Sequence, residues 1–316
     1  MDADREQNLV TFSRPQRATA LATLASLMVT VAIACSRDQG LGPTTACGGP
    51  CPAAPVRACA SSVGAIPSDT GLPWPNVPAG LTTLSDEPFD ALTENGWITL
   101  QRDTIHGSGA TLASDERAPL SPPSVLQFTY GVGFPAGMTP AVTFYDVATP
   151  VKEAFFGFWW KPSNPWQNNI QSGVNKLAFM LTQQTAAHGE MAMIMFGTDS
   201  GPYTAQVVTE FPGDTRRLAP NLVPTLITLG VWHRVEWYAR FSSTDSTSDG
   251  VVGWWLDGVP QGAYVNLLMP DDPGFKEFQI APTWGGVVGT KVERDIFCYD
   301  HAHLSVPASA DTTLTP

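Results

Sequence analysis

Residues 232–258, WHRVEWYARFSSTDSTSDGVVGWWLDG, constrain the fold more than any other part of the chain. Successive side chains of a strand point to opposite faces, so residues two apart share one. Val235, Trp237, Ala239 and Phe241 form an apolar row, while Arg234, Glu236, Tyr238 and Arg240 form a polar one. The next run repeats the division, with Val252, Trp254 and Leu256 against Val251, Gly253, Trp255 and Asp257. Asp249-Gly250 and Asp257-Gly258 are turn signals, because glycine accepts positive φ and aspartate bonds its local backbone. The Ser/Thr/Asp segment between the runs carries too few apolar residues to be buried. This predicts an antiparallel pair with one face on a core and the other towards solvent or ligand.

Similar runs recur between turn signals: 125–130, 141–146, 154–161, 176–182, 190–196, 205–210, 233–241, 251–257, 277–281 and 296–305. Helical periodicity beyond ten residues is nearly absent after the N-terminus. Many short strands with Gly/Pro-rich turns predict an all-β chain, a two-sheet antiparallel β-sandwich. Phe155, Phe156, Phe158, Trp159 and Trp160 are apolar on both strand faces, as a strand covered on two sides would be. Met191, Met193 and Met195 read as core filler.

The N-terminus is a targeting segment and stands outside the fold. Arg14 and Arg17 precede a largely apolar run from Ala18 to Ala34, ending in Ala-Ile-Ala-Cys35. About 17 such residues is at the short limit for spanning a bilayer. The small residues before Cys35 resemble the lipobox of bacterial lipoproteins, with Ala32 at the position where that family most often has Leu. The resemblance implies cleavage of residues 1–34 and diacylation of Cys35. With Ser36 following, it implies passage to the outer membrane rather than retention in the inner one. An ordinary secretory signal or a membrane anchor is the alternative; every version exports the folded part.

Residues 35–80, rich in Gly, Pro, Ala, Ser and Thr, are expected to form a flexible tether. The sandwich is then expected over 81–306, roughly 225 residues and enough for one large core. Residues 307–316 read as a frayed tail. Export permits disulfides among Cys47, Cys51, Cys59 and Cys298. A local staple within the tether is one arrangement, and a bond from Cys59 to Cys298, tying the tether to the last strand, is another. The C-x3-C-x7-C spacing has no adjacent histidine and is a poor zinc pattern.

The formal net charge is −12. Residues 1–34 carry three acidic and three basic side chains, so cleavage leaves that balance unchanged. Such a chain is not drawn to nucleic-acid phosphates, nor by its overall field to strongly anionic glycans. The expected partners are polysaccharide and, through Cys35, the membrane; a monomer is expected. No cofactor is expected. Asp245, Asp271 and Asp272 could offer oxygens to calcium, but no loop motif supports it.

The pattern W-H-R-V-E-W-Y…D-G-V-V-G-W-W-L-D-G, with APTWGG at 281–286 and YDHAHLS at 299–305, resembles the concanavalin A-like lectin/glucanase superfamily. Within it the chain is most similar to the polysaccharide-lyase-like jelly rolls, over about 84–305 in order of elements. The resemblance implies two antiparallel sheets, one curving into a groove for an extended glycan.

Polysaccharide lyases remove the C5 proton of a uronic acid and expel the C4 substituent. That chemistry needs a base, an acid and a group that stabilises the carboxylate as it becomes enolate-like. Lys176, Arg234 and Tyr238 are the candidate catalytic residues. Lys176 is expected to share a face with Ala178 and Met180, and Tyr299 with His301 and His303. Each also has an unremarkable reading: ion pairs on a solvated sheet for Arg234, Glu236 and Arg240, a solvated Lys176, and ordinary loop histidines at His106 and His188. Two histidines at i, i+2 with no third ligand make a poor metal site.

Glycoside hydrolysis needs two carboxylates in a groove. Glu293 and Asp295 share a face but fall in an expected loop, so hydrolysis ranks below elimination. Ten tryptophans are generous for sugar stacking. Most, including Trp237 and Trp254, read as core. Trp166, Trp255, Trp284, Glu236 and His301 are the candidate substrate-binding residues. Two functions emerge: an exported lipoprotein that binds polysaccharide in a groove and cleaves it by β-elimination, or a non-catalytic lectin-like or structural envelope protein.

Overall fold

Alternation along the chain becomes two stacked antiparallel sheets. The computed structural model describes residues 58–61, 73–182, 189–198, 200–211, 214–269 and 274–308. Cys35, Cys47 and Cys51, the signal segment, His188, Asp271 and Asp272 lie outside these residues. A short 3₁₀ turn at Cys59–Ser61 comes first. The early strands are β1 (Leu81–Glu87), β2 (Thr93–Glu94), β3 (Trp97–Gln101), β4 (Gly109–Ser114), β5 (Ser124–Tyr130) and β6 (Ala141–Val151). Then come β7 (Glu153–Pro162), β8 (Val174–Leu181), β9 (Glu190–Gly197), β10 (Tyr203–Phe211), β11 (Asp214–Leu218) and β12 (Leu226–Ile227). The last are β13 (His233–Arg240), β14 (Gly250–Leu256), β15 (Val259–Leu267), β16 (Phe275–Ile280) and β17 (Asp295–Pro307). Among the described residues no helix is long and apolar enough to cross a membrane.

The first sheet runs β15-β14-β13-β7-β17-β5-β4, with β1 also on β17. The second runs β11-β10-β9-β8-β16-β6-β3-β2, with β12 also on β10. Val235, Trp237, Ala239 and Phe241 all point into the core between the sheets, joined by Val252, Trp254, Leu256 and the three methionines of β9. Asp257 (φ 54) and Gly258 (φ 78) make the two-residue turn between β14 and β15, since such turns need positive φ at both positions. Asp257 also binds back to β13: its Oδ1 accepts from the Arg234 N–H at 2.8 Å and its Oδ2 lies 2.7 Å from His233 Nδ1. That link ties the start of β13 to the turn after β14. Asn95-Gly96, the equivalent turn between β2 and β3, has φ of 49 and 85 and carries the same signal.

The apolar run of β7 divides between two layers. Phe156, Phe158 and Trp160 join the central core. Phe155 and Trp159 face outward, into a second cluster with Cys59, Trp74, Trp232 and Cys298. Part of the expected tether therefore belongs to the domain. Cys59 is bonded to Cys298 of β17 at a Cα–Cα distance of 6.0 Å. Trp74 stacks on His303 with ring centroids 5.3 Å apart, above Gly157, where a Cβ would come within 2.6 Å of the indole. Withdrawing a ring of that size from water contributes about 1.5–3 kcal/mol. Residues 58–61 and 73–80 thus cover the first sheet instead of leading away from it.

Two bulges overturn strict alternation. The register of β8 shifts between Lys176 and Ala178. Leu177, Ala178 and Met180 enter the core, and Lys176 is turned outward beside Phe179, not onto a face shared with Ala178 and Met180 as expected. The register of β17 shifts between Tyr299 and Ala302. Tyr299 is a core residue whose hydroxyl donates to the Leu177 carbonyl at 3.1 Å, so it is separated from His301 and His303. An extra residue in one strand reverses the parity of everything beyond it.

Candidate functional site

The outward face of the second sheet differs from that of the first. Its apolar cluster is built from Val142, Phe179, Ala192, Ile194 and Ala281, edged by Phe144, Val174, Leu181, Phe196 and Val208. All but Ala281, which directly follows β16, come from strands of the sheet itself. Cross-strand register sets the polar groups around this strip. Lys176 pairs with Ile194, which pairs with Gln206, and Gln279 lies between Phe144 and Phe179. Glu190 of β9 stands opposite Glu210 of β10.

Lys176 Nζ donates to Glu190 Oε1 at 3.1 Å and lies 3.8 Å from Glu210 Oε1. It also sits 5.0 Å from the centroid of the Phe179 ring, and the Arg217 guanidinium lies 4.1 Å from that of Phe196. Burial pushes the Glu210 carboxyl above its ordinary range, the Lys176 charge opposes this, and neighbouring Glu190 adds to it. Gln206 is 6% exposed. Its Nε2 donates to Thr204 Oγ1 at 3.1 Å, while its Oε1 is buried without a hydrogen-bond partner. Rings bordered by amide and charged groups make this face able to hold a flat, hydroxyl-bearing chain.

Arg234, Glu236 and Tyr238 lie together, but on the outward face of the other sheet, across the core from Lys176. The three candidate catalytic residues therefore do not converge. Arg234 Nε donates to Glu236 Oε2 at 3.0 Å in a buried ion pair. Glu236 also accepts from the Asn76 N–H at 3.3 Å and from Asn76 Nδ2 at 2.9 Å. Burial raises the Glu236 carboxyl, against the bonds from Asn76 and Arg234. The Tyr238 hydroxyl donates to Glu153 Oε1 at 2.5 Å. Burial and that carboxylate push its pKa upward, the wrong direction for a base. These residues hold the covering segment. Trp255, opposite Glu236 on β14, is half-buried on the same face.

Trp166 and Trp284 are in loops, as the sequence predicts, but neither presents a ring to a ligand: they are 4% and 2% exposed. Trp166 stacks on Phe297 at 4.1 Å. Lys291 Nζ lies 3.6 Å from the Trp166 centroid and 5.0 Å from that of Trp284, and donates to Asp295 Oδ2 at 2.7 Å. A cation desolvated between rings is well placed for cation–π attraction, and the buried carboxylate balances its charge. Asp295 opens β17 rather than sitting in a loop.

His301 Nε2 is 2.8 Å from Asp86 Oδ1, and His303 Nδ1 is 3.1 Å from the same oxygen. Burial would raise the Asp86 carboxyl, but the hydrogen bonds and charges of the two histidines hold it well below the usual range. His303 Nε2 lies 2.8 Å from Ser305 Oγ, completing a serine–histidine–aspartate chain. Ser305 is 1% exposed, so no substrate carbonyl can reach it and the chain is structural. His106 is held by Asp103 at 3.0 Å. Among the described residues no group of three or more His, Cys, Asp or Glu could hold a metal.

No family model matches this chain, and no curated protein matches it in sequence. Solved structures do match it in shape. An endo-β-1,4-glucuronan lyase from the fungus Trichoderma reesei superposes with a TM-score of 0.51 at 17% identity, covering 74% of this chain and all of that one. The alginate lyase vAL-1 from Chlorella virus gives a TM-score of 0.51 at 9% identity, covering 71% of this chain and all of that one. The likeness is one of fold. It bears out the two-sheet antiparallel β-sandwich of jelly-roll type.

Proposed function

We propose that this protein is an exported, lipid-anchored polysaccharide-binding protein that holds glycan along the outward face of its second sheet without cleaving it. The supporting observation is the apolar strip of this face, with Phe144, Phe179 and Phe196 in it, bordered by Lys176, Gln206 and Gln279. Pyranose C–H faces stack on such rings, and ring hydroxyls satisfy amides and carboxylates. Glu190, Glu210 and Glu277 outnumber Lys176 and Arg217 here, which favours a neutral glycan over one dense in uronate. Anchoring through Cys35 would hold this surface at the bacterial envelope, in the outer membrane.

Cleavage by β-elimination is the second reading, favoured by the fold likeness to two polysaccharide lyases. It needs a base and an acid on the same face. Among the described residues that face carries no tyrosine or histidine, and Lys176 is engaged by two carboxylates. The test is to apply the full chain to a glycan array and to incubate it with alginate, glucuronan and pectin. Array binding with no rise in unsaturated-uronate absorbance is the expected result. A rise would overturn the non-catalytic reading, and a blank array would remove the polysaccharide.

A further inference from the structure

A cleft of about 370 Å³ opens on the outward side of the first sheet, at its β4 edge. Its floor is Thr111, Gln127 and Thr129, the outward residues of β4 and β5; Asp103 and Ser108 of the 102–108 loop wall it, and Arg294 stands at its lip. Gln127 and Thr129 are each 7% exposed. Gln127 Nε2 donates to Thr129 Oγ1 at 3.1 Å, and Arg294 Nη2 approaches the same oxygen at 3.5 Å. Gln127 Oε1 lies 3.3 Å from Cys59 Sγ. That sulfur is bonded to Cys298 and has no hydrogen to donate, so the contact is not a hydrogen bond. The Gln127 amide oxygen thus lies against the disulfide, and the cleft floor offers the hydroxyls of Thr111 and Thr129 beside the Gln127 side chain.

The charges around it balance. Burial would raise Asp103, but bonds from the Ile105 N–H, Ser108 and His106 hold its pKa below the ordinary value, so it faces the cleft ionised. Arg294 supplies one positive charge opposite. No aromatic ring lines the space. A pocket of this size suits a small molecule, and hydroxyls, an amide, a carboxylate and a guanidinium bind best to a ligand that both donates and accepts along its edges.

We propose that this cleft is a second saccharide site, which takes one or two neutral sugar units held edge-on by hydrogen bonds. It shares no residue with the second-sheet face and stands or falls separately. The test is saturation-transfer NMR on the full chain in detergent, with methyl glycosides of glucose, galactose, mannose and xylose, and methyl glucuronide as the anionic arm. At least one neutral glycoside is expected to bind. Thr129→Val is expected to weaken it about tenfold or more, Arg294→Ala to weaken it as well, and Lys176→Ala on the other sheet to leave it unchanged. Should Thr129→Val fail to fold, Arg294→Ala, altering an exposed side chain, carries the test. No neutral glycoside bound, tighter binding of the glucuronide, unaltered affinity in the cleft variants, or loss in Lys176→Ala would each overturn the assignment. Retained polysaccharide binding by Thr129→Val separates failure here from failure of the second-sheet reading.

Discussion

Glu236 of β13 accepts two hydrogen bonds from Asn76, at 3.3 and 2.9 Å, across 160 positions of sequence. With Arg234 on its other side, this carboxylate clamps the segment that covers the first sheet. Removing one partner of a buried ion pair leaves the other uncompensated, at a cost of about 3–5 kcal/mol. Glu236→Ala is therefore expected to lower unfolding free energy by about that amount in urea titration while glycan affinity stays unchanged. Lost affinity with unaltered stability would return Glu236 to a binding role.

Trp166 packs flat on Phe297 and beneath Lys291. Truncating a buried ring of this kind costs about 3–5 kcal/mol. Trp166→Ala should show that loss in thermal or urea unfolding, with residual folded protein still binding glycan normally. A stable variant with weakened binding would contradict the buried placement.

What could be read from the chain was what depends on local parity. The β13–β14 pair and the two-faced β7 follow from alternation, and Asp257-Gly258 marks the turn from β14 into β15, whereas Gly250 of the other Asp-Gly pair opens β14 instead of turning the chain. Lys176 and Tyr299 were misplaced because single-residue bulges at β8 and β17 invert parity, and no local signal marks them. Glu190 and Glu210 face each other only through the β9–β10 register, and their separation of twenty positions gave no hint of it. Trp166 and Trp284 sit in loops, yet Lys291 and Phe297 draw them inward, a tertiary contact that composition does not encode. Asn95-Gly96 carries the Asn-Gly hairpin signal of the β2–β3 turn, yet no strand was expected on either side of it.

Glu87 supports a further prediction. Its Oε1 accepts from the Phe89 N–H at 2.9 Å, steadying Phe89 at φ 62. Burial pushes its carboxyl from 4.5 to about 7, with the Phe89 bond opposing and Glu94 reinforcing the shift. Between those values the folded chain keeps a proton that the unfolded chain has lost. This group's contribution to stability is thus greatest below the lower value, declines as pH rises to about 7, and is level above. Thermal midpoints across that range should fall less steeply in Glu87→Gln than in the parent. Parallel curves would refute the shift.

Anchoring makes its own prediction. Two acyl chains hold a protein stably on a bilayer where one does not. Cys35→Ser should abolish incorporation of labelled palmitate and release the chain from the membrane fraction. Labelling that persists in the variant would rule out Cys35 as the lipid site.

The central claim is that glycan lies on the second sheet and not over β13. The direct measurement is calorimetric titration of one array-selected polysaccharide into the parent, Gln206→Ala with Phe196→Ala, and Arg234→Lys with Tyr238→Phe. Affinity is expected to fall about tenfold or more in the second-sheet pair and to hold in the first-sheet pair. The reverse order, with binding lost at Arg234 and Tyr238, would contradict it.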